Sequence, residues 1–121
     1  MHDSDLLALA LEALDEVKGT DIRVLDVRRL TDVTDFMVIA TGRSDRHVKA
    51  MADRVVATAK TRGHAPLGVE GEREAEWVLV DLTDVVVHIM QPETRKLYQL
   101  ERLWADAALD AGAITTHVLE T

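Results

Sequence analysis

The chain has 121 residues, of which 47% are hydrophobic and 30% are charged, a balance typical of one globular domain rather than of a disordered chain. It contains no cysteine, which excludes disulfides and thiol catalysis. The formal net charge is −8, whereas proteins that bind RNA through its phosphates usually present a basic surface. We therefore expect a basic protein partner rather than a specific nucleic acid.

Targeting and membrane signals are not visible in this sequence. The longest apolar runs, such as residues 85–87, are far shorter than the roughly 20 residues that a membrane helix needs. The first residues contain no basic region ahead of an apolar one. We expect no membrane association, no secretory signal and a cytoplasmic location.

The N-terminal part of the chain predicts a helix followed by a strand. Ser4 or Asp3 can cap a helix that runs to about Lys18 and ends at Gly19. Residues 22–28 alternate enough for a strand.

The next segment predicts a strand, a helix and a loop. Residues 35–41 form a mostly apolar run of strand length that Gly42 ends. Ser44 then caps a helix that Gly63 ends, and residues 64–74 are polar and read as a loop. The apolar stripe of this helix consists of Val48, Met51, Ala52, Val55, Val56 and Ala59.

A β-hairpin is predicted from strands 76–82 and 85–91, with Thr83-Asp84 as the turn. The expected pairs are Leu82–Val85, Asp81–Val86, Val80–Val87, Leu79–His88, Val78–Ile89 and Trp77–Met90. Cross-strand partners share a face, so one face of the hairpin is entirely Val, Leu and Ile. The other face carries Trp77, Leu79, Asp81, Val86, His88 and Met90.

After the hairpin, Pro92 suits the first position of a helix. The helical apolar spacing continues through Leu97, Leu100, Leu103 and Trp104. The resulting order, α-β-β-α-β-β-α, predicts an α/β (α+β) domain with a mixed sheet and helices mainly on one face. The pattern weakens from Ala105 into an Ala-rich tail.

The mixed face of the hairpin allows two interpretations. It can be a second core layer, covered by the terminal helix or tail. It can also be a partner site, because an aromatic anchor, a flexible methionine and polar groups are typical of an interface core.

Catalytic chemistry finds little support in the pattern. Gly42-Arg43-Ser44 between a strand and a helix could hold a phosphate, but an ordinary turn with a serine cap is the favoured interpretation. Asp81 and Asp84 resemble a two-metal pair only loosely, because alternation places them on different faces or places Asp84 in the turn. His88 near Asp81 could act as a general acid or base, although a structural or interface pair is favoured.

The histidines do not predict a metal site. They are His2, His47, His64, His88 and His117, and no two have a ligand spacing such as His-x-x-x-His. We therefore expect no metal and no cofactor.

Several segments of the chain form a joint pattern. They include Asp35-Phe36-x-Val38-Ile39-Ala40-Thr41-Gly42-x-Ser44, Trp77-Val78-Leu79-Val80-Asp81-Leu82-x-Asp84-Val85-Val86-Val87-His88, and Arg95-x-x-Tyr98-x-Leu100-Glu101-x-Leu103-Trp104. Together they resemble the ribosomal silencing factor family, which is related to Iojap. The resemblance covers about Leu7 to Ala107. It divides the chain into a silencing factor domain, residues 1–107, and a C-terminal tail of unknown role, residues 108–121.

The resemblance implies a nucleotidyltransferase-like fold without enzymatic activity. It further implies binding to the large ribosomal subunit through large-subunit ribosomal protein fourteen, so that the bound factor sterically blocks the small subunit and represses translation. The partner-binding residues that it implies, together with their apolar neighbours, are Trp77, Leu79, Asp81, His88, Met90 and Tyr98. A homodimer through an exposed apolar face is a further option. The alternative function is an active nucleotidyltransferase or nucleotide-binding protein.

Overall fold

A computed structural model describes residues 3–103 and 108–109. Its helices and strands are α1 (Asp3–Glu16), β1 (Thr20–Asp26), β2 (Phe36–Thr41), α2 (Asp45–Thr61), β3 (Gly68–Glu70), β4 (Trp77–Asp81), β5 (Val85–Met90), α3 (Pro92–Tyr98), α4 (Leu100–Leu103) and β6 (Ala108–Leu109). The strands form one sheet in the order β3-β4-β5-β2-β1-β6. Strands β2 and β5 are parallel, and every other neighbouring pair is antiparallel. The predicted mixed sheet is confirmed.

Helices α1 and α2 cover one face of this sheet, which we call the near face. Their apolar stripes pack against the valine and isoleucine side chains of the central strands. Core side chains with no exposed surface include Leu6, Leu9, Leu14, Val38, Val48, Met51, Val55, Val78, Val80, Val87 and Ile89. Burial of one such side chain contributes about 1.5–3 kcal/mol, so this layer is the main source of stability.

The predicted hairpin is confirmed in its register. Strands β4 and β5 pair Trp77 with Met90, Leu79 with His88 and Asp81 with Val86, as alternation requires. The backbone N–H of Leu82 donates to the carbonyl of Val85 at 2.9 Å, which closes the turn over Thr83-Asp84.

The helix ends agree with the sequence only in part. The Ser44 side chain caps α2 by accepting a hydrogen bond from the N–H of His47, as expected. Helix α1, however, already includes Ser4 and ends at Glu16, and the left-handed residue that follows it is Lys18 (φ 61°) rather than Gly19. Gly19 provides space instead, because a Cβ there would lie 2.8 Å from the Met51 Cε.

Three features were missed, and one of them is β6, which pairs with β1 in the stretch predicted as a tail. Strand β3 lies inside the stretch predicted as a loop, and three residues are too short to show a strand period. The predicted terminal helix is interrupted because Gln99 adopts a left-handed conformation (φ 46°) between α3 and α4. Trp104 and, apart from β6, the tail from residue 108 onward lie outside the described residues.

Membrane crossing finds no support in the helices. Within residues 3–103 and 108–109, none combines the length and the apolar character that a membrane span requires.

Candidate protein-interaction site

In the described part of the chain, the sheet face opposite α1 and α2, which we call the far face, is covered in one region. Leu25, Val27, Ile39 and Met90 form a small second core there. Met37, Trp77 and Leu100 pack against it as partly buried side chains. The second-layer interpretation therefore holds for this region. Next to this region, the far face carries aromatic and polar side chains.

Trp77 is the centre of an aromatic cluster that we define as Trp77, His88 and Tyr98. The Trp77 Nε1–H donates to His88 Nδ1 at 3.0 Å. The Tyr98 ring lies 5.0 Å from the Trp77 ring, centroid to centroid, and is tilted by 49°. Tilted contacts of this kind suit the charge distribution of aromatic rings. Since Tyr98 is 55% exposed, the cluster opens to solvent.

His88 is the buried support of the cluster. Burial lowers the pKa of His88 to about 4, so its ring is neutral at physiological pH. Because Nδ1 accepts the Trp77 hydrogen bond, the hydrogen-bond pattern assigns the ring proton to Nε2. A group with this pKa is a poor general base near neutral pH, which argues against the acid–base role considered for it.

Asp81 does not form the expected pair with His88. His88 is hydrogen-bonded to Trp77, and Asp81 Oδ1 accepts the backbone N–H of Thr83 at 2.8 Å. The Asp81 carboxylate thus stabilises the turn whose central residue Thr83 has a φ of 74°. Asp81 as a whole is half-buried at the end of β4.

The six predicted partner-binding residues differ in exposure. Trp77, Leu79 and Asp81 are half-buried, and Tyr98 is exposed. His88 is buried, and Met90 has no exposed surface. The first four can therefore touch a partner directly, while His88 and Met90 hold the surface from below. Their assignment to a partner site stays a prediction.

Arg95 is a residue that sequence reasoning missed. Its side chain is 5% exposed and connects α3 to the ends of β1 and β2. Nη1 donates to the carbonyl of Asp21 and, at 2.8 Å, to the Thr41 hydroxyl. Nη2 lies 3.6 Å from the Asp21 carboxylate. This attachment fixes α3 and so places Tyr98 against Trp77. Arg95 begins one of the segments that resemble the family, but a polar helical stretch does not show that its arginine is buried.

The Gly42-Arg43-Ser44 turn is occupied by the protein's own acceptors. The Arg43 N–H donates to His47 Nδ1 at 2.9 Å, and the Gly42 N–H donates to the Met90 carbonyl at 3.0 Å. The His47 N–H is taken by the Ser44 hydroxyl. A phosphate would have to displace these partners, so the geometry favours the capping interpretation over a phosphate site.

Asp81 and Asp84 do not share a strand face, as a two-metal pair would require. Asp81 is the last residue of β4, whereas Asp84 lies in the turn, and its carbonyl accepts the N–H groups of Asp35 and Phe36. In the part of the chain that the structure describes, no three His, Asp or Glu side chains are grouped to hold a metal ion. His2 and His117 lie outside that part.

Comparisons with known proteins identify the family. The model of the family described as "Ribosomal silencing factor during starvation" matches residues 1–120. The chain belongs to this family. A ribosomal silencing factor from Haemophilus influenzae is 48% identical over 83% of this chain and 98% of its own length. The expected family is thus confirmed by sequence.

Two further relatives extend the comparison. A crystal structure of a Chromobacterium violaceum protein superposes with a TM-score of 0.85 and 46% identity, covering 87% of this chain and 88% of that one. A mouse protein named "Mitochondrial assembly of ribosomal large subunit protein 1" is 35% identical over 89% of this chain and 47% of its own length. The expected fold is therefore confirmed by a solved structure. The expected boundary between residues 107 and 108 stays a prediction.

Proposed function

We propose that this ribosomal silencing factor binds the large ribosomal subunit through large-subunit ribosomal protein fourteen and blocks joining of the small subunit. The mechanism is steric, since a protein bound on the joining surface and the small subunit cannot occupy the same space. Translation falls in proportion to the bound fraction. The factor acts by binding, without catalysis and without a cofactor, and its site of action is the cytoplasm.

The observation that carries the proposal is the aromatic cluster in a chain of this family. Trp77 is held by His88 on one side and by Tyr98 on the other, so little side-chain entropy remains to be lost on binding. Tryptophan and tyrosine are the side chains that most often dominate binding energy. Leu79 and Asp81 extend this surface along β4.

Charge supports the same partner class. The chain carries −8, and Asp81 places a carboxylate at the rim of the proposed surface. Opposite charges across an interface speed association and restrict the choice of partner more than they increase affinity. A basic ribosomal protein satisfies this condition. The far face also remains available to a second copy of the chain, and a homodimer is an alternative use of it.

The direct test is association of the purified chain with isolated large-subunit ribosomal protein fourteen, followed by surface plasmon resonance. We expect a saturable complex whose association rate falls as salt rises. Asp81→Asn keeps an acceptor for the Thr83 N–H and removes the charge, so it should slow association and flatten the salt dependence. The control is Asp53→Asn, which makes the same charge change at an exposed residue of α2, on the near-face side. It should leave the association rate and its salt dependence unchanged. Absence of a complex with the wild-type chain contradicts the proposal.

The nucleotidyltransferase alternative is tested separately. The occupied Gly42-Arg43-Ser44 turn and the separation of Asp81 from Asp84 both oppose it. We expect no pyrophosphate release from nucleoside triphosphates with magnesium or manganese. Release that disappears in Asp81→Asn would establish an enzyme.

A further inference from the structure

A basic cleft lies at one end of the sheet, and the proposed function does not use it. It has a volume of about 420 Å³ and is lined by residues at the start of β1, the end of β2, and along α3 and α4. Thr20 and Thr41 are register partners at this end. The parallel strands β2 and β5 both point their carboxyl ends here, where open α/β sheets most often bind ligands.

Charge distinguishes this cleft from the rest of the molecule. Among the described residues, its lining contains three cations, Arg95, Lys96 and Arg102, and one carboxylate, Asp21. These described lining residues carry a net charge of +2, whereas the full chain carries −8. Among the described residues, no carboxylate is ion-paired with Lys96 or Arg102. A concentration of positive charge inside an acidic protein attracts a local anion against the field of the whole chain.

Arg95 gives the cleft a fixed charge. Its guanidinium is held by the Asp21 carbonyl and the Thr41 hydroxyl and lies 3.6 Å from the Asp21 carboxylate, so this cation is fixed in place and partly balanced by Asp21. Lys96 and Arg102 are exposed and can close on an anion from the rim. One fixed cation with two mobile ones suits a multiply charged oxyanion, which accepts charge-assisted hydrogen bonds from several directions.

We propose that this cleft binds a phosphate group. None of the described lining residues is aromatic, so the cleft offers no surface on which a nucleotide base could stack. The open shape and the cationic side chains recognise the phosphate itself, without reading sequence. The phosphate can belong to an RNA backbone or to a free anion. This binding is independent of the proposed contact with a ribosomal protein, because it uses the sheet end rather than Trp77, Leu79 and Asp81.

The RNA source is tested by fluorescence anisotropy with the full chain and a labelled oligouridine of about 12 nucleotides, within the usual site size. We expect saturable binding at low salt that weakens as salt rises. Each phosphate contact on a single strand contributes roughly 0.7 to the salt exponent, so Lys96→Ala/Arg102→Ala should lower the exponent by about 1.4 and the affinity by about tenfold at physiological salt. The control Arg46→Ala/Lys49→Ala changes the net charge equally on the exposed surface of α2 and should bind as wild type.

The free-anion source is tested by titrating inorganic phosphate into the full chain and following backbone amides by NMR. Shifts at Thr20, Thr41 and Lys96 that saturate, and that vanish in the Lys96→Ala/Arg102→Ala variant, establish a free-anion site even if the RNA does not bind. The melting temperature of each variant shows that it is folded. The proposal is overturned if neither probe binds, or if the control variant loses binding as much as the cleft variant. No ribosomal component enters either measurement, so failure of the proposed function leaves the result unaffected.

Discussion

Replacing Trp77 with alanine tests whether the aromatic cluster is a binding surface. A fully buried tryptophan loses about 3–5 kcal/mol of unfolding free energy on truncation. Trp77 is only half-buried, and one hydrogen bond to His88, worth about 1 kcal/mol, is lost with it. We expect a loss of about 2–3 kcal/mol in stability. An aromatic anchor contributes about 2 kcal/mol or more to binding, which lowers affinity roughly thirtyfold.

Val80→Ala is the matched control for this variant. Val80 is fully buried on the near face, and removing two carbons there costs about 2–3 kcal/mol of unfolding free energy. The two variants should therefore be similarly destabilised, and only Trp77→Ala should lose affinity. Urea unfolding and calorimetric titration with large-subunit ribosomal protein fourteen measure both quantities. Equal affinities, once corrected for the folded fraction, would refute the assignment of Trp77 to the interface.

Three further predictions concern His88, Ser44 and Gly71. Burial holds the pKa of His88 at about 4, below the ordinary value of about 6.5, so the unfolded chain binds more protons between these values. The contribution of His88 to the free energy of unfolding is therefore complete above about pH 6.5 and falls by about 3 kcal/mol as the pH drops to about 4. In His88→Asn, the free energy of unfolding measured with urea should depend less on pH over that range. A slope identical to that of the wild type argues against the buried neutral ring. Ser44→Ala should lower the free energy of unfolding, measured thermally, by about 1 kcal/mol. Ser44→Asp should lower it much less, because aspartate also caps a helix. Equal losses in the two variants would contradict the cap. At Gly71 (φ 87°) a Cβ would lie 2.1 Å from the Trp77 carbonyl oxygen, so Gly71→Ala should cost well over 2 kcal/mol. Gly63→Ala, at a similar φ of 78° with open space, should cost only about 1 kcal/mol, and similar losses for both would show that the Trp77 contact is unimportant.

The hairpin shows what sequence patterns determine well. In a hairpin with a two-residue turn, side chains alternate between the two faces, so a single register buries every valine and isoleucine of one face. The structure has that register. The same register makes Trp77 and His88 diagonal neighbours, within reach of aromatic side chains. Their hydrogen bond could thus have been anticipated. The expected His88–Asp81 pair was wrong because the turn takes the Asp81 carboxylate.

Tertiary contacts determine what the patterns missed. Strand β3 exists because Gly68, Val69 and Glu70 pair with β4, and these residues have no strand signal of their own. Arg95 is buried through partners that precede it by more than 50 residues, Asp21 and Thr41. The left-handed Gln99 is not a residue type that predicts a helix end. The resemblance to known sequences identified the family. The alternation of side chains along β4 and β5 identified the far face, but it did not show which part of that face is covered.

Subunit joining tests the central claim most directly. Purified small and large ribosomal subunits are mixed with saturating protein under joining conditions and separated on a sucrose gradient. We expect the fraction of joined ribosomes to fall and the protein to sediment with the large subunit only, because the bound factor occupies the joining surface. An unchanged gradient, or equal sedimentation with both subunits, would contradict the account.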